Sequence, residues 1–186
     1  MQLFFQEKID SPITYLDEEE SRHLVKVLRK KQGDQIRLTN GKGLVYDCVI
    51  LEANPKKTSL RILTSQDVPE DTFHIHLAIA PTKSPDRMEW MVEKITELGF
   101  HEMTLLETIN SERSFLKTDR LQKKVIAACK QSLKFRSPLL HQTQKLSDLF
   151  KSNQFEGYQK FIAYVDETHE HHLVDVAKPA GKYLIL

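Results

Sequence analysis

The sequence predicts an α/β protein of two domains, in which a small β-rich N-terminal domain precedes a domain built on a parallel sheet. The 186 residues, 40% of them hydrophobic, are enough for one large domain or two small ones with cores of their own. Up to about residue 70, short apolar runs between turn residues indicate strands around one helix. After a polar segment at 65–72, strand-like and helix-like stretches alternate, which is typical of a parallel sheet with helices on its faces. We therefore expect domains at 1–70 and 71–186.

One helix and three strands are predicted in the N-terminal domain. Four acidic residues at 17–20 favour a helix start, and Lys30 and Lys31 favour its end, with Gly33 as the C-cap. The segment Asn40-Gly41-Lys42-Gly43 predicts a hairpin turn rather than a phosphate-binding loop, because a strand and not a helix follows it. The predicted strands span 35–39, 44–52 and 58–64.

The C-terminal domain has four predicted strands and three predicted helices. Ser84 and Pro85 favour the start of the first helix and Gly99 its end, and Thr118 favours the start of the second. The third helix is short. The predicted strands span 73–80, 103–106, 160–165 and 182–186, and the short helix spans 146–151.

The sequence ends on the apolar run Tyr183-Leu184-Ile185-Leu186, which is typical of a parallel strand covered on both faces. No later segment is present to cover it. In open α/β sheets, ligands bind beyond the carboxyl ends of the strands. We therefore expect this sequence to stop just before a ligand site.

The net charge of +1 conceals two concentrations of basic residues. The segment 110–145 carries nine basic and two acidic residues, a local net charge of +7 that the rest of the chain offsets. A second run of five basic residues lies within 22–31. A solvated helix face explains either run by itself, but two such runs in a neutral chain favour a polyanion partner. Helical spacing is expected to place four basic residues on one face: Arg22, Lys26, Arg29 and Lys30.

The common catalytic and metal-binding motifs are absent from the sequence, including G-x-S-x-G, G-x-x-x-x-G-K-[ST] and H-E-x-x-H. The histidine-rich segment 167–172 is interpreted as an exposed loop, and His74 and His76 as one polar strand face, so no metal is expected. The only cysteines, Cys48 and Cys129, indicate reduced thiols, and no apolar run approaches the roughly 18 residues of a membrane span. The sequence thus favours a cytoplasmic protein without a membrane partner.

Four blocks of the sequence resemble the ribosomal RNA small subunit methyltransferase E family, in the order and with the spacing found there. Each block is weak by itself, and together they give a specific resemblance over nearly the whole chain. The blocks are Arg22–Arg29 followed by Gly33-Asp34, then Glu93–Gly99, Ser111–Ser114 and Ala127–Ser132.

The resemblance implies an N-terminal PUA-like β-barrel that binds RNA and a C-terminal SPOUT-type α/β domain whose trefoil knot is incomplete in this chain. It also implies a homodimer that transfers a methyl group from S-adenosylmethionine to N3 of a uridine in 16S ribosomal RNA. In the family, a glycine-rich segment follows the strand that matches Tyr183–Leu186, and this sequence lacks it. We therefore expect most of the cofactor site to lie beyond Leu186, with Val165, Asp166 and Leu186 near it, and the fragment by itself to be inactive.

Methyl transfer to a uridine needs alignment and charge stabilisation more than acid–base groups. A guanidinium group is expected to stabilise the charge that builds on N3 and the neighbouring carbonyl oxygens. Arg113 is the first candidate for this catalytic role and Arg136 the second; a salt bridge from Arg113 to Glu107 or Glu112 is the alternative. Other basic side chains are expected to bind phosphates. The predicted RNA-binding residues are Arg22, Lys26, Arg29, Lys30, Lys31, Lys83, Arg113, Lys134 and Arg136.

Two other functions remain open from the residues alone. One is a non-catalytic RNA-binding module, in which the N-terminal barrel and the basic helix act without a reaction. The other is an α/β enzyme that acts on a small molecule and has no RNA partner.

Overall fold

The computed structural model describes residues 2–9, 12–109, 111, 118–164 and 172–186. The chain divides into two compact units. The first unit consists of Met1–Glu70 with Ile126–Ser137, and the second of Asp71–Val125 with Pro138–Leu186. No helix in the described part of the chain is long and apolar enough to cross a membrane.

The first unit contains one five-stranded sheet. Its strands are β1 (Leu3–Phe5), β2 (Ile13–Tyr15), β3 (Gln35–Thr39), β4 (Leu44–Glu52) and β5 (Ser59–Asp67). They lie in the order β1-β3-β4-β5-β2, and only the β1–β3 pair is parallel. The core forms where alternate strand residues, among them Phe4, Ile36 and Leu60, pack with Leu24 from the helical segment and with Leu16, which precedes that segment.

The predicted hairpin between β3 and β4 is confirmed. The side-chain oxygen of Asn40 accepts hydrogen bonds from the backbone amides of Lys42 and Leu44, at 2.8 and 3.3 Å. Gly41 and Gly43 both have positive φ angles, +72° and +95°, which glycine adopts without a steric cost.

The helix of the first unit ends earlier than the sequence predicts. Helix α1 (Glu18–Arg22) continues as a π-helical turn (His23–Val27), and Leu28 is its C-cap. The amide of Leu28 donates to the carbonyl of His23, and Arg29 then adopts a left-handed φ of 55°. The predicted end at Lys30 and Lys31, with Gly33 as the cap, is therefore wrong. Arg29 and Lys30 lie beyond the helix and do not share a helical face with Arg22 and Lys26.

The second unit contains the predicted parallel sheet. Its strands are β6 (Phe73–Ile79), β7 (Glu102–Glu107), β8 (Leu139–Lys145), β9 (Gln159–Phe161) and β10 (Gly181–Ile185). All neighbouring strands are parallel, in the order β8-β7-β6-β10-β9. Its helices are α2 (Pro85–Leu98), the first half of α3 (Thr118–Ser132), α4 (Leu146–Lys151) and α5 (Leu173–Val176), and one 3₁₀ turn spans Asn153–Phe155. The residues of α3 from Ile126 onward belong to the first unit.

Helix α2 begins and ends as predicted. Ser84 is the N-cap, Pro85 occupies the first turn, and Gly99 closes the helix with a φ of +106°. Strand β8 was not predicted, because its sequence is largely polar and most of its residues remain partly exposed.

The last strand of the sequence, β10, lies inside the sheet between β6 and β9. Leu184 is 1% exposed and packs with Leu149 and Phe155, which precede it in the chain. One face of the apolar run at 183–186 is therefore covered by the segment that contains α4 and the 3₁₀ turn.

Candidate functional site

A cavity of about 630 Å³ lies in the second unit where strand β6 ends and helix α2 begins. Because the strands are parallel, this is the carboxyl edge of the sheet, where α/β proteins bind ligands. Its volume is within the range of small-molecule sites. Seven residues line it: Ala80, Pro81, Thr82, Lys83, Ser84, Arg87 and Ser111.

The lining of this carboxyl-edge cavity suits an anionic group. Lys83 and Arg87 provide two cationic side chains, and the first turn of the 14-residue helix α2 adds the positive end of a helix dipole. The Ser84 side chain makes no capping hydrogen bond within the described structure. The side chain of Thr82 instead closes the turn, since its hydroxyl donates to the Ser84 carbonyl at 3.1 Å. A phosphate or a polarised carbonyl oxygen is therefore a suitable ligand.

The predicted cofactor and catalytic residues are only partly described. Arg113, Val165 and Asp166 lie outside the described residues. Leu186 follows β10 at the carboxyl edge of the sheet; its amide donates to the Phe161 carbonyl at 2.9 Å. Ser111, which lines the carboxyl-edge cavity, is two positions before Arg113 in the sequence.

Arg136 lies in the first unit, where it binds the β3–β4 turn. Its guanidinium donates to the carbonyls of Lys42 and Val68, at 2.9 and 2.7 Å, and lies within 3.5 Å of Asp67 and 3.7 Å of Glu70. The backbone on both sides of Arg136 also pairs with the turn. These contacts give Arg136 a positional role in the first unit, and its predicted role beside the reacting base stays a prediction.

The predicted RNA-binding residues at 22–31 lie on the first unit. Arg22 forms an exposed ion pair with Glu18 at 2.8 Å, which contributes little because solvent screens it. Lys26, Arg29 and Lys31 are exposed, and no ion pair is found for them among the described residues. This segment is therefore a cationic surface that is available to an anionic partner.

Several cations of the basic segment 110–145 are neutralised by acidic residues that are distant in sequence. Glu89, which is 7% exposed, pairs with Arg120 and Lys124 of α3. Lys130 pairs with Glu20 within the first unit. The local charge of +7 therefore overstates the free positive charge. Lys134 is partly buried, and its backbone amide donates to the Cys129 carbonyl.

A second polar site in the second unit surrounds Glu102. Its carboxylate lies 2.5 Å from His141 Nε2, 3.5 Å from His76 Nδ1 and 3.0 Å from His74 Nε2. Burial lowers the pKa of His76 to about 4. Burial opposes ionisation of Glu102 too, but the hydrogen bond from His141 and the nearby histidines bring its pKa below the usual value. A cavity of about 490 Å³ adjoins these groups.

Sequence reasoning missed this histidine–carboxylate site, because its members lie on three separate strands. His76 was assigned only to a polar strand face. The register of the sheet, which pairs His76 with Glu102 and Thr104 with His141, brings the groups together. No spacing motif in the sequence carries that information.

Comparisons with known proteins agree with this architecture. The family described as RNA methyltransferase domain matches residues 69–186, and the family described as RNA methyltransferase PUA domain matches residues 16–63. The ribosomal RNA small subunit methyltransferase E of Bacillus subtilis (strain 168) is 23% identical over 175 residues, which are 90% of this chain and 67% of that protein.

Two solved structures have the same fold over almost the whole chain. A probable rRNA-methyltransferase from Porphyromonas gingivalis has a TM-score of 0.88 and 33% identity, over 100% of this chain and 79% of that one. A protein assigned as a methyltransferase from Legionella pneumophila, in complex with the bound cofactor SAM, has a TM-score of 0.82 and 25% identity. The match covers 98% of this chain and 78% of that one. These likenesses confirm the predicted fold class, a PUA-like domain joined to a SPOUT-type α/β domain.

Proposed function

We propose, because this chain belongs to the RNA methyltransferase family of the ribosomal RNA small subunit methyltransferase E type, that the protein containing it methylates N3 of a uridine in 16S ribosomal RNA. The proposal concerns the whole protein, since the chain spans 67% of the length of its Bacillus subtilis relative. The observation that carries it is the cationic cavity at the carboxyl edge of the parallel sheet.

S-adenosylmethionine is the proposed cofactor, and when bound it supplies an electrophilic methyl group. The Legionella pneumophila relative was solved with this cofactor. The carboxyl-edge cavity fits a ligand of this class in volume, and Thr82, Ser84 and Ser111 offer hydroxyl groups in its lining. Leu186 lies at the same edge of the sheet, which agrees with the expectation that it borders the cofactor site.

The residues around the cavity would bind and polarise the target nucleotide. N3 of uridine must give its proton to solvent, since the new N3–methyl bond replaces both the N3–H bond and the sulfur–methyl bond of the donor. The negative charge that develops on N3 spreads to the two neighbouring carbonyl oxygens. A guanidinium stabilises that charge best when water is excluded. We assign this role to Arg113, which is its first candidate from the sequence. Lys83 and Arg87 are proposed to hold a phosphate of the same strand.

The cations at 22–31 are proposed to bind the RNA backbone. Lys and Arg bind phosphates without reading sequence, and the target base is read after it is taken out of the stack. Arg22, Lys26, Arg29, Lys30 and Lys31 suit this task. The resemblance further supports a homodimer that acts in the cytoplasm. Sedimentation of the whole protein tests the oligomeric state.

The decisive experiment measures N3-methyluridine in 16S ribosomal RNA by mass spectrometry, after incubation of small ribosomal subunits with the whole protein and S-adenosylmethionine. Arg113→Ala is expected to lower kcat by roughly 10²–10³-fold with little change in RNA affinity. Lys83→Ala is expected to weaken substrate binding instead. Lys151→Ala, at an exposed lysine of α4, is the control.

The result separates the proposed enzyme from a non-catalytic RNA-binding module. RNA binding without any methylated product would support the module and reject the enzyme. The expectation that the 186 residues alone are inactive stays a prediction. Calorimetric titration of this chain with S-adenosylmethionine tests it, and binding as tight as that of the whole protein contradicts it.

A further inference from the structure

We propose that His76, Glu102 and His141 form a binding site for a divalent transition-metal ion, with Zn²⁺ as the ion that suits the donors best. One ring nitrogen from each histidine and one carboxylate oxygen lie within 4.8 Å of one another. The site is separate from the carboxyl-edge cavity, and the proposed methylation does not use it.

The geometry is close to that of a zinc site. Glu102 Oε2 is within reach of both rings, 2.5 Å from His141 Nε2 and 3.5 Å from His76 Nδ1. Zn–N and Zn–O bonds of about 2.0–2.1 Å place tetrahedral ligands roughly 3.3 Å apart. The rings of His76 and His141 are stacked, with centroids 5.3 Å apart and planes 10° from parallel, so ion binding requires the side chains to rotate until both nitrogen lone pairs face the ion.

The donor set and its surroundings also favour a metal. Two imidazoles and one carboxylate form a set that zinc uses when a further coordination position stays open. His76 Nε2 lies 2.8 Å from the hydroxyl of Thr104, which is the kind of outer hydrogen bond that orients a metal-binding histidine. When Nε2 donates to Thr104, the lone pair of Nδ1 faces the carboxylate, and a cation between them removes the repulsion.

The position of the site in the fold gives the ion a route of entry and allows it to link neighbouring strands. His76 is 3% exposed, whereas the side chains of Glu102 and His141 are 26% and 38% exposed, so the site opens on one side. All three residues line the 490 Å³ cavity, which leaves room for water or a small ligand on the ion. Because the three donors come from β6, β7 and β8, a bound ion would link three neighbouring strands.

The test uses the full chain without a histidine tag, after treatment with a chelator. Titration with ZnCl₂ by calorimetry is expected to give one site per chain, and CoCl₂ is expected to give the visible absorption of four-coordinate cobalt. Zn²⁺ is also expected to raise Tm, because it binds the folded state. Circular dichroism confirms that each variant is folded.

Variants at and near the cluster separate metal binding from a hydrogen-bonded network. Thr104→Val is expected to weaken Zn²⁺ binding by roughly 10–100-fold, whereas Thr104→Ser retains it. Glu102→Gln and His141→Ala are expected to weaken Zn²⁺ binding by a larger factor. The combined variant of His169, His171 and His172 to Ala removes the other histidine-rich segment and is the matched control. The absence of a one-to-one site, or unchanged affinity in Glu102→Gln, overturns the proposal, as does loss of binding in the control.

Discussion

Replacement of Lys130 by Met tests the buried ion pair of the first unit. The Lys130 ammonium contacts Glu20 Oε1, and the side chains are only 20% and 11% exposed. Glu20 Oε2 is buried without a hydrogen-bond partner among the described residues. Removal of one partner from a buried pair costs about 3–5 kcal/mol of unfolding free energy. Because Lys130 keeps some solvent contact, we expect about 3 kcal/mol for Lys130→Met, at the low end of that range.

Urea denaturation of the full chain, followed by circular dichroism, measures the change. Lys123→Met is the matched control, since Lys123 lies on the same helix and is exposed; it is expected to change stability by less than about 0.5 kcal/mol. The double variant Glu20→Leu with Lys130→Met removes both charges and is expected to recover most of the loss. Equal stability of Lys130→Met and Lys123→Met would refute the reasoning.

The same variant has a defined pH dependence. Burial raises the pKa of Glu20, and Lys130 only partly offsets this. A carboxyl group with a raised folded-state pKa destabilises the fold above that pKa, and the penalty fades as pH falls and the group is protonated. The stability gap between wild type and Lys130→Met is therefore expected to be largest near neutral pH and to narrow in acid. A gap that widens in acid would show that the charge of Glu20 is not its cause.

Three further predictions concern the first unit. Arg136→Ala is expected to lower the free energy of unfolding by about 2 kcal/mol, because two charge-assisted hydrogen bonds to the carbonyls of Lys42 and Val68 are lost, and Arg136→Lys should restore little of it. A drop in methylation with unchanged Tm would instead favour a catalytic role. Gly43→Ala is expected to lower Tm in the wild-type background, because the position has a positive φ and the new Cβ would clash with the Arg136 guanidinium, and to lower it less in the Arg136→Ala background. An equal loss in both backgrounds argues against the clash. Arg29→Gly is expected to raise Tm by about 2–4 °C, since glycine adopts the left-handed conformation of this position without steric strain, while Arg29→Ala does not raise it. Both variants should reduce the salt dependence of RNA binding by about one unit of slope, and an unchanged slope would show that Arg29 does not bind RNA.

Local sequence patterns were enough for the elements whose signals are contained in a few residues. The turn at Asn40–Gly43 and the limits of α2, set by Pro85 and Gly99, were predicted because short-range side-chain hydrogen bonds, the fixed φ of proline and positive φ angles are local properties. The π-helical turn after Arg22 was not predicted, since a single turn with i→i+5 hydrogen bonds does not change the spacing of apolar residues in a recognisable way.

By itself, the sequence determined the parallel second unit, the hairpin-rich first unit and, through four short blocks, the family. Tertiary structure decided which charges and histidines meet. Glu20 reaches Lys130 across 110 positions, and the register of β6, β7 and β8 gathers His76, Glu102 and His141. The physical reason is that periodicity and caps act within one or two turns of chain, whereas the charge of a surface and the donors of a site depend on strands and helices that pack from distant parts of it.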